Sequence, residues 1–553
     1  MKKSALVIFG EGISDKKGDW YKQFDVVIDS EKLKDLVESG SIYEAADFAK
    51  ELSGLTLSDG TKVPKSFIYK GYELWWMHYS SIFLYFCLPY TQYRKLLEYL
   101  KVFEHIYLYK PPYKSLFYYY LEAHGSKVTL LWEKNLKSPA LLPFGVMVQI
   151  IITLLSLPIL MIKRNPLMVF VGDKFEKFKD YDFRMKYIYQ ELRERNIKFV
   201  EFIRSLESWK TVLEHALLVR KRPVIYSEGV AYLGRFLSFL SFNKLLVQEK
   251  FGREIFKKEV PEKKFKFMIA THYMLNIYDD VWAIRIMSFI FKVIGIKAAY
   301  ITAATDRNFH SFLATKLNNI PTVGILHGVA SLYYNVYDFL PGFDGEKSLS
   351  VDKYGVWSKW WKEYYIKNSK AYQLEQLYIS GPMRPLEKSL RSDLNTDSQG
   401  LAFNSGPIKV LIVSEQLAVP DEVIPYLKAL LDDKDVSLYI SFRHYRDGFE
   451  NWLRENHSEI LNKFSEDKII RTGIKDAISK CEVAVGTMST AVIEALFEHK
   501  VPILFYTKKW GDYFSLKGYN NNSFYADTPD GLIKKIKNSR SVSRDTVNDL
   551  LER

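Results

Sequence analysis

Cysteine is nearly absent from this 553-residue chain, which contains only Cys87 and Cys481. Two cysteines so far apart in sequence do not form a disulfide framework. No zinc or iron–sulfur spacing is present either. We therefore expect a protein of a reducing compartment without a bound metal.

Acidic residues are fewer than basic ones. The chain has 65 aspartates and glutamates and 78 lysines and arginines, which gives a formal net charge of +13. This balance favours anionic partners, such as nucleotides or acidic lipid surfaces. Nucleic acid is not expected, because the chain has no zinc-finger spacing, no aromatic RNA-binding signature and no dense basic tract. The N-terminal MKKSALVIFGEG has only a short apolar run, which predicts a first strand and not a signal peptide.

Long hydrophobic runs are absent except at residues 140–162, where no charged residue occurs. As one helix this segment is about 34 Å long, enough for a hydrocarbon core of about 30 Å. Pro143 and Pro158 shorten the unbroken part to a length typical of interfacial or core helices. We predict attachment to the membrane surface, with a single span and a buried core helix as alternatives.

A second unusual stretch, residues 67–90, is rich in aromatic residues interleaved with polar ones. This composition fits an aromatic belt at the lipid headgroups or a lipid-facing groove. It equally fits a helix in an aromatic core. Both interpretations stay open at the level of sequence.

Short β-branched runs alternate with helical stretches along the chain, the pattern of parallel sheets with crossover helices. The runs form three groups, and a polar stretch before the third is typical of a linker. The predicted segments are an α/β domain of unassigned role at 1–136, an apolar membrane-associated segment at 137–164, an α/β domain at 165–390, a linker at 391–407 and an α/β domain at 408–553.

In parallel sheets ligands bind beyond the carboxyl ends of the strands, so polar residues at predicted strand ends are candidate site residues. One predicted strand, FKFMIATH, ends at His272. The complete set is Asp173, Glu228, His272, Asp306, Arg307, His327, Glu415, Arg443, His444 and residues 487–490.

The junction within VAVGTMSTAVIEALFEHKVPILFY predicts a strand at 483–485, a turn and a helix. Ser489 or Thr490 occupies the position of a helix N-cap. Apolar residues from Val492 onward recur at helical spacing, and His499 falls on the same face. Such a cap is common in α/β proteins, but free helix amides also bind phosphate.

Glu494 lies outside this apolar face and has no evident structural role. A carboxylate one turn after a hydroxyl-rich helix N-terminus suits a ligand with phosphate at one end and a hydroxyl pair, such as a ribose, at the other.

Four motifs in order carry a family resemblance: NNIPTVGILHGVA, LYISGPMRP, LYISFRHYRD and GIKDAISKCEVAVGTMSTAVIEAL. Over about residues 168–540 the chain resembles GT-B glycosyltransferases of bacterial surface-carbohydrate assembly, including CDP-glycerol glycerophosphotransferases and capsule-type transferases. The resemblance implies an α/β fold with two Rossmann-like domains of GT-B type facing a cleft, the first on the acceptor side and the second on the nucleotide-donor side. An N-terminal α/β domain and one apolar membrane-associated helix would be added to them. In the third motif Tyr445 replaces the usual proline.

The resemblance also implies roles for particular residues. His327 is the expected base, because a neutral imidazole suits deprotonation of an acceptor hydroxyl, and Asp306 and Glu228 are the fallback bases. The donor pyrophosphate would be held by Ser489 and Thr490 with the helix amides, and the ribose by Glu494. The further predicted donor-binding residues are Arg384, Arg443, His444 and Thr487.

The function expected from these motifs is transfer of a sugar from a nucleotide-sugar donor to a lipid-linked or surface-polysaccharide acceptor. The protein would lie at the cytoplasmic face of the plasma membrane and need neither a metal nor a cofactor. A CDP-alcohol glycerophosphotransferase-like enzyme and a nucleotide-sugar 2-epimerase are the alternatives. A non-catalytic scaffold would bind no nucleotide.

Overall fold

The chain forms three parallel α/β sheets, one after another in sequence. The computed structural model describes residues 4–9, 23–131, 144–164, 167–172, 185–205, 207–240, 244–257, 259–301, 309–326, 331–333, 339–381, 406–415, 418–442, 447–471 and 473–552. The predicted linker, residues 391–407, lies outside the described residues except for its last two positions.

The first sheet has four parallel strands in the order β2-β1-β5-β6, and a two-stranded antiparallel hairpin, β3-β4, accompanies it. The strands are β1 (Ser4–Ile8), β2 (Val26–Ile28), β3 (Ile68–Tyr69), β4 (Tyr72–Glu73), β5 (His105–Tyr109) and β6 (Lys127–Leu131). The helices are α1 (Ser30–Leu36), α2 (Ile42–Ser53), α3 (Tyr79–Ile82), α4 (Leu88–Leu100) and α5 (Lys114–Ala123).

The aromatic stretch at 67–90 is mainly core. Trp75, Trp76, Tyr79, Phe83 and Phe86 are among the largest fully buried or nearly fully buried side chains of the described chain. These side chains pack against one another and against the second sheet's helices, as hydrophobic burial requires. The lipid-facing interpretation is therefore wrong for this buried set.

The second sheet has seven parallel strands in the order β9-β8-β7-β10-β11-β12-β13. The strands are β7 (Leu167–Gly172), β8 (Phe199–Arg204), β9 (Val224–Tyr226), β10 (Ala298–Tyr300), β11 (Thr322–Ile325), β12 (Lys353–Val356) and β13 (Leu377–Ile379). The helices are α6 (Phe144–Lys163), α7 (Lys186–Glu194), α8 (Trp209–Glu214), α9 (Ser227–Leu240), α10 (Lys244–Phe256), α11 (Pro261–Met274), α12 (Ile277–Ile294), α13 (Phe309–Leu317) and α14 (Lys359–Asn368).

The predicted strand FKFMIATH is wrong, because this segment lies inside helix α11. Pro261 occupies the first helical turn, where its missing amide hydrogen is tolerated. The buried side chains of Phe265, Ile269 and Tyr273 then recur every four residues, which places them on one side of a helix. His272 is consequently a helical residue and not a strand-end residue.

The third sheet has six parallel strands in the order β16-β15-β14-β17-β18-β19. The strands are β14 (Ile408–Val413), β15 (Val436–Ser441), β16 (Ile469–Ile470), β17 (Val483–Gly486), β18 (Val501–Phe505) and β19 (Tyr525–Ala526). The helices are α15 (Pro420–Asp432), α16 (Gly448–Asn456), α17 (Ser458–Leu461), α18 (Ile474–Ser479), α19 (Thr490–Glu494), α20 (Pro529–Asn538) and α21 (Arg544–Glu552).

Both larger sheets are doubly wound. Counted along the chain within each sheet, the strand order is 3-2-1-4-5-6, with a seventh strand added to the second sheet. This is the order of Rossmann domains, which bind ligands where the order reverses. The predicted α/β class with two Rossmann-like domains is confirmed, and the reversal points lie between β7 and β10 and between β14 and β17.

The carboxyl ends of the two doubly wound sheets face each other. Trp357, which follows β12, lies 6.0 Å from Phe497, which follows α19, measured between ring centroids. Ser358, which lies just after β12, and Ile493, which lies in α19, line one cavity together. The polar turn after β17 therefore borders the contact between the two domains.

The part of the chain that contains the first sheet, here called the first unit, packs against the second and third units, which contain the second and third sheets. The amide of Ile42, at the start of α2, donates to the Lys509 carbonyl in the loop after β18, at 3.1 Å. His78 reaches the second unit, where its Nε2 lies 2.5 Å from Asp280 Oδ2.

Helix α6 runs without interruption through Pro158 for 20 residues. It is the one helix of the described residues long and apolar enough to cross a membrane. Only 22% of the 18-residue apolar stretch within α6 is buried. The alternative interpretation of this segment as a buried core helix is therefore wrong.

Candidate active site

The turn after β17 is built on a buried carboxylate. The Thr487 amide donates to Glu415 Oε1 at 2.8 Å, and the Thr487 hydroxyl donates to Glu415 Oε2. Glu415 is 2% exposed and Thr487 1% exposed. Glu415 lies just beyond β14, so this pair joins the two strands at the reversal point. Thr487 thus holds the turn in place, and its two donors are directed at protein.

Ser489 is the N-cap of α19, as the sequence predicts for Ser489 or Thr490. Its backbone is extended, and its Oγ accepts from the Ala491 amide at 3.3 Å. The α-helix spans five residues and continues as a 3-10 turn from Ala495 to Glu498. The Val492 amide donates to the Ser489 carbonyl at 3.0 Å, so Ser489 accepts from the amides of both Ala491 and Val492.

The prediction that His499 lies on the buried helix face is wrong. His499 has left-handed backbone angles, with φ of 52°, and ends the 3-10 turn. Its Nδ1 lies 2.9 Å from Asn548 Oδ1. The helical spacing in the sequence continues past the point at which the backbone leaves the helix.

Thr490 and Glu494 are both partly buried and stand four residues apart in α19. Side chains with this spacing share one face of a helix. The structure therefore brings Ser489, Thr490 and Glu494 together at one short helix, while Ile493 faces the aromatic cavity shared with the second domain.

The helix that follows residues 443–446 is firmly anchored. Asp447 caps α16 by accepting from the amides of Phe449 and Glu450, at 3.0 and 3.2 Å. Glu450 accepts a bidentate pair from Arg471 at 2.6 Å and a further pair from Arg454. Arg471 and Arg454 lower the pKa of Glu450 to about 2, against the desolvation that opposes it.

Glu450→Gln is expected to lower stability by about 1–2 kcal/mol at neutral pH, because the arginines lose their charged acceptor and are themselves partly screened by solvent. The folded pKa of Glu450 is below its ordinary 4.5, so the stabilisation is present above that pH and disappears as the pH falls toward about 2. Urea unfolding between these limits measures it. Glu191→Gln, in an exposed pair with Arg195, is the control and should leave the pH dependence unchanged.

The end of β11 is positioned by the next strand. The Trp357 indole donates to the Leu326 carbonyl at 2.6 Å, immediately before His327. His327 itself lies outside the described residues. So do Asp306, Arg384, Arg443 and His444, and the predicted roles of these five residues stay predictions.

Glu228 lies in the first turn of α9, after edge strand β9, and is thus separated from the β7/β10 reversal point by β8. Its Oε1 accepts from Arg204 Nε at 2.9 Å. The structure does not place Glu228 at the reversal point, and its carboxylate is already engaged.

A histidine–aspartate–histidine cluster was not predicted. Asp280, which is buried in α12, has Oδ2 2.5 Å from His78 Nε2 and Oδ1 2.7 Å from His310 Nε2. Burial alone would raise the pKa of Asp280, but the two imidazoles hold it well below its usual range. His310 lies in the first turn of α13, which follows β10, a strand of the reversal point.

The sequence signal for this cluster was the presence of carboxylates at buried positions of a largely apolar helix, where Asp279 and Asp280 are both buried. Asp280 interrupts the apolar face that contains Ile277 and Ile284. Such a group is retained inside a protein only when it is paired.

His272 belongs to a neighbouring aromatic contact and not to a strand end. Its Nδ1 lies 2.9 Å from the Tyr119 hydroxyl. Burial, with a contribution from His78, lowers the pKa of His272, which favours the neutral imidazole.

Comparison with models of known protein families finds no match for this chain, and comparison with curated proteins finds none either. Among solved structures, it is similar to UDP-GlcNAc 2-epimerase from Methanocaldococcus jannaschii at 10% identity, covering 68% of this chain and 93% of the other, with a TM-score of 0.37. A glycosyltransferase from Rickettsia africae has 13% identity, 70% and 95% coverage and a TM-score of 0.35. MurG from Acinetobacter baumannii has 10% identity, covers 70% of this chain and 93% of its own, and has a TM-score of 0.35. Scores in this range assign no activity to this chain.

Proposed function

We propose that this chain is a nucleotide-sugar-dependent glycosyltransferase. It takes its donor at the third sheet and transfers the sugar to a lipid-linked or surface-polysaccharide acceptor at the cytoplasmic face of the membrane. The proposal is supported above all by the position of the polar turn 487–490 at the β14/β17 reversal point, the place where Rossmann sheets bind nucleotides.

The surroundings of this turn support a polar ligand. The Ser414 hydroxyl, just beyond β14, is buried and has no hydrogen-bond partner among the described residues. A buried hydroxyl without a partner is unfavourable, so a ligand group at this position would stabilise it. Glu415 and Thr487 beside it hold both strand ends in a fixed relation.

In the proposed site Ser489 and Thr490 bind the donor pyrophosphate and Glu494 binds the ribose. Arg384, Arg443 and His444 stabilise the departing phosphate, and His327 deprotonates the acceptor hydroxyl. Asp306 remains a fallback base, whereas Glu228, which pairs with Arg204 away from the reversal point, is not retained. We add His310 to the candidate bases, because Asp280 orients its imidazole in the first turn of α13, the helix that follows β10.

Nucleotide binding tests the proposal. Thermal unfolding of the full chain is followed with UDP, GDP, CDP, CMP and dTDP, with and without magnesium. A nucleotide at 100 times its dissociation constant stabilises the folded state by about 2.7 kcal/mol. UDP, GDP or dTDP is expected to do so without magnesium, and stabilisation by none of the five nucleotides contradicts the proposal.

Ser489→Ala with Thr490→Val is expected to abolish this nucleotide-dependent shift while lowering stability without nucleotide by only about 1 kcal/mol, because a lost cap has a small effect. The Thr528 hydroxyl caps α20 by accepting from the Gly531 amide at 3.1 Å, and Thr528→Val removes this cap. That control should keep the shift. Equal nucleotide binding in both variants would return the Ser489 turn to a purely structural role.

The alternatives give different results in the same assay. Stabilisation by CDP or CMP alone favours the alcohol-phosphate transferase. Conversion of a nucleotide sugar to its 2-epimer without any acceptor favours the epimerase.

A further inference from the structure

Helix α6 has its polar side inward and its apolar side outward, the reverse of a helix on a water-soluble surface. Gln149, Thr153 and Ser156 are buried and recur at helical spacing. Apart from Lys163 at its last position, the large side chains exposed on α6 are apolar: Phe144, Met147, Ile151, Leu154, Leu155, Ile159, Met161 and Ile162.

The polar side of α6 is bound to the edge of the second sheet. The Thr153 hydroxyl accepts from the Tyr226 amide at 3.0 Å, and the Ser156 hydroxyl accepts from the Val224 amide at 3.2 Å. Gln149 donates to the Ser205 carbonyl at 3.1 Å. Because β9 is an edge strand, the Thr153 and Ser156 contacts satisfy backbone donors that the sheet leaves unpaired.

The helices packed against α6 extend the apolar surface. At the start of α6 the Phe144 ring meets the Trp209 ring of α8, with centroids 5.2 Å apart. Gly229 of α9 lies so close to Ile150 that an added Cβ would be 3.1 Å from the Ile150 backbone nitrogen. The exposed large apolar residues of α8, the turn after it and α9 are Trp209, Leu213, Leu217, Leu218, Phe236, Phe239 and Leu240.

Cations surround this surface. Lys163 and Arg164 are exposed at the end of α6, and Lys210 and Arg235 are exposed on α8 and α9. Lys210 Nζ lies 5.6 Å from the centroid of the Trp209 ring, and Arg235 Cζ lies 5.0 Å from the centroid of the Tyr232 ring. Over residues 144–164 and 207–240 the exposed carboxylates are fewer, namely Glu207 and Glu214. An apolar centre with a basic margin is complementary to an anionic bilayer surface.

We propose that α6 inserts its apolar side into one leaflet of an anionic phospholipid bilayer and lies in the plane of the membrane without crossing it. Crossing would remove Gln149, Thr153 and Ser156 from their partners and place their polar groups in hydrocarbon, which is unfavourable. The proposal rests on α6 and its neighbours alone and does not depend on the nucleotide site.

Flotation of the full chain with vesicles tests this inference, using phosphatidylcholine with and without phosphatidylglycerol. The protein is expected to float with the anionic vesicles. The triple variant Ile151→Gln, Leu155→Gln, Ile159→Gln should lower the bound-to-free ratio at least about tenfold, because it removes three inserted side chains. Failure of the unaltered protein to bind, or equal binding by the variant, overturns the proposal.

A matched triple variant replaces three exposed apolar residues elsewhere, Ile68, Val102 and Ile366, by glutamine. It should float like the unaltered protein. Equal loss in both triple variants would mean that binding is a general property of the surface, and it would overturn the assignment to α6. Thermal unfolding of both variants verifies that they are folded.

Cysteine labelling distinguishes in-plane insertion from a span. Cys87 and Cys481 are both buried, so an introduced cysteine is the accessible one. Lys163→Cys and Lys210→Cys stand near opposite ends of α6, and a membrane-impermeant maleimide outside sealed vesicles should label both. Protection of one of them would show a span and overturn the in-plane orientation.

Discussion

Asp280→Ala is expected to lower the free energy of unfolding by about 3–5 kcal/mol, because it removes the common partner of two histidines from a buried position. His78 comes from the first unit, Asp280 from α12 and His310 from α13, so one carboxylate joins three segments distant in sequence. Since His78 belongs to the first unit, that unit should loosen its contact with the second. Urea unfolding measures the loss, and limited proteolysis measures the loosening.

A second histidine–carboxylate pair provides the control. His124 Nε2 lies 3.2 Å from Glu262 Oε1, but the Glu262 side chain is 47% exposed. Glu262→Ala should therefore lower stability by less than about 1 kcal/mol, as for other solvent-exposed pairs. Similar losses for Asp280→Ala and Glu262→Ala would contradict the buried ionic role of Asp280.

His310→Gln separates structure from catalysis at the same cluster. His78 keeps its bond to Asp280 in this variant, so most of the stability should remain. If His310 is the base, turnover of the glycosyl acceptor should fall with nucleotide binding unchanged. Unchanged turnover would restrict His310 to positioning Asp280.

The strands of the two doubly wound sheets were largely predictable because most are short, buried runs of β-branched and aromatic residues. Val483 to Val485 illustrate this, since all three are buried in β17. Strand β19 has only two residues, too short to show any periodicity. The segment FKFMIATH was predicted wrongly as a strand. It belongs to a buried helix with apolar residues on several sides, so its sequence shows no clear helical spacing that would exclude a strand.

The contacts of the candidate site also differ in whether the sequence predicts them. The Ser489 cap follows from local chemistry, because its partner is only two residues away. The Glu415–Thr487 pair joins residues 72 positions apart, and the His78–Asp280 contact joins residues 202 positions apart. Contacts of that range depend on strand order, which one sequence does not contain.

The orientation of α6 shows the same dependence. Gln149, Thr153 and Ser156 share one helix side in the sequence, yet their spacing does not say whether that side faces water, another helix or a strand. Only the position of β9 at the sheet edge gives Thr153 and Ser156 their partners, and the end of β8 gives Gln149 its own. The apolar side is then the side left exposed.

Gly486→Ala is expected to lower stability by about 2–4 kcal/mol and to abolish nucleotide stabilisation, combining overpacking with loss of the hydrogen bonds around Thr487. The added Cβ would lie 2.5 Å from Glu415 Oε1 and 2.7 Å from Val492 Cγ2. Glycine is therefore required here for space, since Gly486 ends β17 where Glu415 crosses to Thr487. Thermal unfolding with and without nucleotide measures both effects.

Gly252→Ala is the matched control for Gly486→Ala. Gly252 lies inside α10, and an added Cβ would meet no atom within 4 Å. Alanine should therefore stabilise that helix by about 0.5–1 kcal/mol through its higher propensity and leave nucleotide binding intact. If Gly486→Ala were as stable as Gly252→Ala, the crossing carboxylate would have room to move. The fixed relation between β14 and β17, on which the proposed donor site depends, would then be absent.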